Sequence, residues 1–282
     1  MKLAIIIILI VLIILNFKYY ENFTVENKLC CLFAYYEKNN QYKENLQCFL
    51  DNAILDDVDY YIILNGPCSI NIKTKENIKI IKRENKGYDF GAHSYAVNNF
   101  IKKKYDYYIF LNSSVKGPYL RNNIKWYQPF IKLFNNKDIK IVGTTINIFD
   151  NDNFNNKIKN TLADIYKHPK PYPHVQSMFY IIDKEYFNYL KLINFYDEVR
   201  LNSINNIDEI ILYYEFGLSQ HALNKGWNIN CIIEPYRDLD YRIIDTDFNP
   251  YSNHGDIYYK NAYFGKNIDP YDVIFFKNNR DF

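Results

Sequence analysis

From residue 29 onward the chain alternates short apolar runs with longer stretches whose apolar residues recur at helical spacing. Residues 29–35 predict a first strand. Residues 42–54 predict an amphipathic helix, with Leu46, Phe49, Leu50 and Ala53 on one face. A second strand over 60–64 is stopped by Asn65-Gly66-Pro67, and a third covers 78–81. A helical pattern follows (Ala92, Ala96, Val97, Phe100, Ile101), then a strand over 107–111, a helix over 128–134 and a strand over 139–143. Residues 149–160 are rich in Asn and Asp and predict a surface loop. Pro169, Pro171 and Pro173 stiffen the approach to His174-Val175-Gln176-Ser177-Met178, which leads into a strand over 179–182. A helix over 207–224 ends at Lys225-Gly226, as a glycine after a helix end should, and 227–233 predict a last strand. The tail from Arg237 reads as loop. Strands alternating with helices imply an α/β fold: one domain over 29–282, with a mostly parallel central sheet flanked by helices.

The pattern before residue 29 is different. Residues 3–15 are uninterrupted apolar, and Phe17 brings the run close to the shortest helix that spans a bilayer. No small-residue cleavage site follows, so residues 1–17 are expected to be an uncleaved signal anchor and 18–28 a short polar stem. Lys2 and Lys18 flank the run almost symmetrically and leave its orientation undecided. Asn22-Phe23-Thr24 is a glycosylation sequon in the stem, which favours a lumenal body in a eukaryotic or viral setting.

Composition narrows the class. A hydrophobic content of 48% excludes disorder as a description of the whole chain. The net charge is +2 with acids and bases interleaved, so no basic stripe is available for a phosphate backbone and nucleic acid is excluded as a partner. The five cysteines are odd in number and lack CxxC spacing, which supports neither a zinc site nor a disulfide framework. Most of the 29 tyrosines read as amphipathic packing residues.

Candidate chemistry concentrates at two strand ends. Arg83-Glu84-Asn85-Lys86-Gly87-Tyr88-Asp89-Phe90-Gly91-Ala92-His93 follows one predicted strand and opens a helix, and Leu111-Asn112-Ser113-Ser114-Val115-Lys116-Gly117-Pro118 ends the next. In an open α/β sheet, ligands bind just beyond the carboxyl ends of the strands, near helix N-termini. The two polar, glycine-bearing turns are therefore expected to form two walls of one pocket. Four of only nine glycines, Gly87, Gly91, Gly117 and Gly143, lie at or just after such ends.

With these residues in view, the chain resembles the GT-A-type glycosyltransferases and, more narrowly, the rhamnan synthesis protein F group. The resemblance rests on Asn85-x-Gly87-x-Asp89-x-Gly91-Ala92, Leu111-Asn112-Ser113-Ser114-Val115-x-Gly117-Pro118, Pro173-His174-x-Gln176-Ser177-Met178, Glu215-x-Gly217-Leu218-Ser219, and a closing segment from Gly265 through Pro270 to Phe275-Phe276-Lys277-x-x-Arg280. It implies a GT-A-like domain that moves a sugar from a nucleotide-sugar donor to a glycan hydroxyl, with inversion. In that reading Asn85, Gly87, Asp89, Gly91, Asn112, Ser113 and Ser114 form the donor site. His174, Gln176 and Ser177 supply acceptor or phosphate contacts, and Glu215 is the catalytic base, with Asp208 and the adjacent Glu209 as rivals. Aromatic neighbours and Gly217 put Glu215 in a crowded, partly desolvated position suited to taking the acceptor's proton.

One departure stands out. Where the family pattern implies an acidic motif holding a divalent ion (Mn or Mg) on the donor diphosphate, this chain has the neutral Asn112-Ser113-Ser114. Three outcomes are open. Lys86, Lys116 or backbone N–H groups carry the phosphate charge without a metal; Asp89, His254 or Asp256 hold the ion instead; or the protein binds sugar without transferring it, as a non-catalytic membrane protein that kept the fold.

Overall fold

A computed structural model describes residues 27–149, 165–166 and 171–280. The expected anchor, most of the stem with its sequon, and nearly all of the expected 149–160 loop lie outside the described residues. Among those described, no helix is long and apolar enough to cross a membrane.

The chain opens with β1 (Leu29–Tyr35), α1 (Asn40–Asn52), β2 (Val58–Asn65), β3 (Ile78–Arg83), α2 (Tyr88–Asn99) and β4 (Tyr107–Asn112). After the two-residue β5 (Val115–Lys116) come α3 (Gln128–Ile131), running on into a 3-10 turn, then β6 (Ile139–Gly143) and β7 (Ile146–Phe149). Next are β8 (Tyr172–Val175), β9 (Phe179–Asp183), α4 (Lys184–Leu192) and α5 (Glu198–Ser203). A long helical run follows: α6 (Ile207–Ile210), a π-helical turn (Ile211–Glu215) and α7 (Phe216–Asn224). The last elements are β10 (Asn228–Cys231), α8 (Pro270–Val273) and β11 (Phe276–Lys277).

Seven strands form the central sheet in the order β10-β6-β9-β4-β1-β2-β3. Neighbours pair in parallel except at β9, which runs against both β4 and β6. This is the mostly parallel sheet the alternation predicts. Every residue of β1 is buried, as expected of a central strand covered on both faces. Capping chemistry sets the helix starts: the side chains of Asn39, Asp183, Asp197 and Asn206 accept from the first-turn N–H groups of α1, α4, α5 and α6.

Aromatic stacking fills the layers around the sheet, with Phe110 on Tyr180 at 4.8 Å and Tyr108 on Phe187 at 3.6 Å between ring centroids. Tyr35, Tyr60, Tyr180, Tyr186, Tyr236, Tyr241 and Tyr258 are wholly buried, in line with their reading as packing residues. All five cysteines are free thiols.

The antiparallel course of β9 has a consequence for the site. Its first residues lie at the edge where β1, β2 and β4 end, so Met178 O accepts from Asn112 N (3.2 Å) and Ser177 arrives beside the Asn112 turn. The hairpin of β7 with β8 forms a separate two-stranded sheet and includes Pro173 opposite Ile148. It stands where the sequence predicts only a stiffened approach.

Buried histidines make the core acid-sensitive. Desolvation pushes the His93 imidazole down to about 3; its Nε2–H donates to Leu111 O (3.3 Å) and its Nδ1 has no partner. Burial also lowers His174 and His221. The unfolded chain takes up protons below a histidine pKa of about 6.5 whereas folded His93 does not until about 3. Its stabilising contribution is thus complete above about 6.5 and is lost as pH falls toward the folded value. We expect the denaturant midpoint to fall between pH 7.5 and 5, with His93 alone accounting for about 2 kcal/mol by pH 5. A flat profile over that range would contradict its burial as a neutral ring.

Candidate active site

The site begins at the carboxyl end of β3. Arg83 donates from Nη1 to Asn65 Oδ1 (2.8 Å) and from Nη2 to Asn202 Oδ1 (2.8 Å) and Lys86 O (2.9 Å), which fixes the Glu84–Lys86 turn between β2 and α5. The chain then makes two successive left-handed residues, Gly87 (φ 67°) and Tyr88 (φ 55°). Positive φ at a bulky residue such as Tyr88 is an uncommon, strained conformation of the kind that clusters at ligand sites. Asn65 Nδ2 holds the Tyr88 carbonyl (3.2 Å), and the Tyr88 hydroxyl donates to Asn205 O (3.1 Å).

Asp89 stands in the first turn of α2. It does not cap the helix: the residue at the cap is Gly87, which has no side chain to do so. Its carboxylate accepts from its neighbour Phe90 N (3.1 Å) and, across the pocket, from Asn112 Nδ2 (2.8 Å). Burial pushes its carboxyl above the ordinary aspartate range, and these two donors oppose the shift. The bond to Asn112 joins the two glycine-bearing turns into one wall.

The second turn is closed on itself. Asn112 Oδ1 accepts from Ser114 N (3.0 Å) and Ser114 Oγ (2.6 Å). Ser113 Oγ accepts from Tyr36 N (3.2 Å) and donates to Tyr36 O (3.3 Å). Beneath it the buried Asn45 amide donates to Ser113 O (2.9 Å) and exchanges two bonds with the Asn278 amide (2.9 and 2.8 Å). Asn45 thereby ties the turn to the residue that follows the last strand.

Glu215 ends the π-helical turn, and π turns recur at functional sites because they displace side chains from the regular helical face. It is half-buried, and Ser177 N donates to its Oε1 (3.2 Å). The result is a cleft of about 360 Å³ beyond the carboxyl ends of β1, β2 and β4, lined by Asn85, Tyr88, Asp89, Asn112, Ser113, Ser114, Ser177, Glu215, Lys277 and Arg280, among others.

Seven of the residues singled out by sequence thus meet in one cleft: Asn85, Asp89, Asn112, Ser113, Ser114, Ser177 and Glu215. The others do not line it. Gly87 and Gly91 act behind its wall: a Cβ on Gly87 would lie 2.5 Å from Leu201 O, and one on Gly91 2.2 Å from Lys86 O. His174 is buried, donates from Nδ1 to Tyr172 O (3.0 Å) and packs on Phe216 at 3.9 Å between ring centroids. Gln176 is buried too, its Oε1 accepting from Thr145 Oγ1 (2.9 Å). Both face partners within the fold. Asp208 and Glu209 are exposed in the first turn of α6 and do not line the cleft. Lys86 pairs with Glu84 at the surface (2.7 Å), and Lys116 is also absent from the lining.

A divalent ion needs several free oxygens, preferably carboxylates. The Asn112 turn offers no carboxylate: Asn112 Oδ1 already accepts twice from Ser114, the two serines bring only neutral hydroxyl oxygens, and the neighbouring Asp89 carboxylate accepts from Phe90 N and Asn112 Nδ2. Asp256 is committed to Arg280 (2.9 Å), and His254 is exposed. Among the described residues no three His, Cys, Asp or Glu side chains converge on a common point. The donor set does not fit a bound divalent cation.

Sequence reasoning gave no role to Lys277, Arg280, Tyr88 or Asn45. Lys277 and Arg280 carried a signal, since they belong to the closing segment of the resemblance.

The sequence profile of the rhamnan synthesis protein F family matches residues 72–261, more than half of the chain, and takes in both turns, Ser177 and Glu215. The chain belongs to that family. Its kinship is therefore with glycosyltransferases of polysaccharide synthesis, as the motifs imply. No curated protein matches it. Among solved structures it is similar to the mannosyltransferase PcManGT from Pyrobaculum calidifontis in complex with GDP-Man and Mn2+, at a TM-score of 0.42 and 8% identity over 72% of this chain. The aligned region spans 54% of that protein, a likeness too loose to carry a residue-level comparison.

Proposed function

We propose that the chain transfers a sugar from a nucleotide-sugar donor to a glycan hydroxyl, with inversion. The observation that carries this reading is the meeting of Glu215 with the Asp89–Asn112 pair in one cleft at the sheet's carboxyl edge. The Asn85–Asp89 turn would receive the nucleoside, with Asp89 and exposed Asn85 as hydrogen-bonding partners. Glu215 would take the proton of the acceptor hydroxyl. As that O–H bond breaks, the acceptor oxygen forms a bond to the anomeric carbon, and the bond from that carbon to the diphosphate breaks with its electron pair leaving on the diphosphate. The bond from Ser177 N to Oε1 supports this role by fixing the carboxylate while leaving Oε2 for the acceptor.

The closed Asn112 turn favours one alternative, a protein that binds a nucleotide sugar or a glycan without transfer. Slow hydrolysis of a nucleotide sugar separates the two. A transferase releases nucleoside diphosphate from a matching donor in the absence of acceptor, and Glu215→Gln suppresses that release. Binding with no release, from any of the UDP-, GDP- and dTDP-sugars tried with and without glycan acceptors, would favour the binder.

A further inference from the structure

The cleft has two cations that nothing above assigns. The C-terminal segment reaches it by a strained route. Ile274 has φ 62° and ψ −48°, a positive-φ γ-turn that is costly for a β-branched residue, and Phe275 N closes it onto Val273 O (2.6 Å). The Ile274 carbonyl accepts from Tyr119 N (2.8 Å), and a Cβ on Gly117 would lie 2.4 Å from that same oxygen. β11 then pairs with β5, Lys277 opposite Val115, while Asn278 N donates to Ser114 O (3.3 Å). The amide pair of Asn45 with Asn278 and the bond from Gln41 Nε2 to Asn278 O lock the segment against the Asn112 turn. Strain at Ile274 and three anchors at Asn278 fix the three residues between them, of which Lys277 lines the cleft.

Half-buried Lys277 lines the cleft, yet among the described residues its ammonium has no carboxylate within ion-pairing distance. Desolvation holds it below the ordinary lysine range, against the pull of Asp256, Glu215 and Asp89, while Arg280 adds to the lowering. Arg280 also lines the cleft: Nη2 pairs with Asp256 (2.9 Å), the guanidinium lies over Tyr259 at 4.8 Å, and its buried Nε has no acceptor. An unpaired, partly desolvated ammonium and an orphaned guanidinium N–H beside it form an incomplete site that an anion with several oxygens would complete.

We propose that Lys277 and Arg280 form the diphosphate subsite of this cleft and supply the neutralising charge that a divalent cation would otherwise provide. The inference rests on the reading of the cleft as a nucleotide-sugar site. It accounts for the neutral Asn112-Ser113-Ser114 turn: with two cations brought in by the tail, an acidic turn beside Ser114 would have no ion to hold.

The test is calorimetric titration of the full chain with UDP, GDP and dTDP, each in EDTA and in Mn2+, and with the monophosphate of whichever binds. One nucleoside diphosphate should bind in EDTA within about threefold of its affinity in Mn2+. Lys277→Gln should weaken it by about 10- to 100-fold, the range of a hydrogen bond to a charged group. The same variant should weaken the monophosphate less, and Lys277→Arg should restore most of the loss. Arg280→Gln, whose side chain is 30% exposed, carries the same expectation and decides the matter should Lys277→Gln unfold. Binding that requires Mn2+, or an unchanged affinity in both charge-removing variants, overturns the subsite while leaving the nucleotide-sugar reading intact. Failure of the folded wild-type chain to bind any of the three diphosphates in either condition overturns that reading and the subsite with it.

Discussion

Glu215→Gln should lower the transfer rate by about 10²- to 10⁴-fold, the span general base catalysis contributes, while nucleoside diphosphate binding stays within about threefold. The substitution is nearly isosteric. An amide Oε1 can still accept from Ser177 N, the one hydrogen bond this carboxylate makes among the described residues, so the π-helical turn keeps its tie to the residues just before β9. What is lost is an oxygen able to take a proton. The electrostatic side effect runs the other way: removing a negative charge from the cleft lessens repulsion of an incoming diphosphate, so affinity should hold or rise. The two readouts separate roles. A residue that merely holds the cleft together would lose binding and rate by the same factor. Nucleotide release from the donor that binds, followed with and without acceptor, supplies the rate. Equal losses in rate and affinity, or a fall of less than tenfold in rate, would remove Glu215 from the base role and return the search to other cleft groups. Exposed Asp208 and Glu209 would not inherit it, because neither lines the cleft.

What the sequence reveals here depends on how local the determining contact is. The strands over 29–35 and 139–143 have the bounds the apolar runs predict, because burial on both faces of a parallel sheet is written into consecutive residues. The two turns were legible for the same reason: glycine marks left-handed backbone and close approach whatever lies opposite. The π turn at Ile211–Glu215 was not, since the 207–224 stretch scores as one helix and nothing in its spacing marks the wider register. Polar residues near the site were misplaced where a distant partner decides their fate. His174 is claimed by Phe216, Gln176 by Thr145, and neither partner is near in sequence. The tail from Arg237 is loop as far as Asp269, as expected, and departs from that reading only at its end, on the same ground. β11 is two residues long and is a strand only because Val115 and Lys116 lie beside it, and α8 is a single turn begun by Asp269 and Pro270. Lys277 and Arg280 therefore entered through motif order and acquired a place only when the sheet edge was assembled.

The turn that shapes the donor side can be tested by a single methyl group. Gly87→Ala should destabilise the fold by about 3 kcal/mol, combining the left-handed conformation, about 1–2 kcal/mol, with an overpacking cost of about 1–3 kcal/mol. For a domain of this size that corresponds to a fall in Tm of about 6–12 °C. The steric part is specific: the new Cβ would lie 2.5 Å from Leu201 O and 3.2 Å from Gly91 Cα, so the start of α2 and the end of α5 must move apart. That movement pulls on the Arg83–Asn202 bond and shifts Tyr88 and Asp89, whose positions follow from Gly87. Nucleoside diphosphate affinity should fall with the stability. Gly226→Ala is the control, because Gly226 has a similar positive φ of 83° but nothing within 4 Å of its Cβ. It should cost only the conformational part, a Tm fall of about 2–8 °C, and leave nucleotide affinity unchanged. Equal Tm losses in the two variants would mean that α2 and α5 yield freely at this contact, and the cleft wall would then owe its shape to the Asp89–Asn112 bond rather than to the packing behind it.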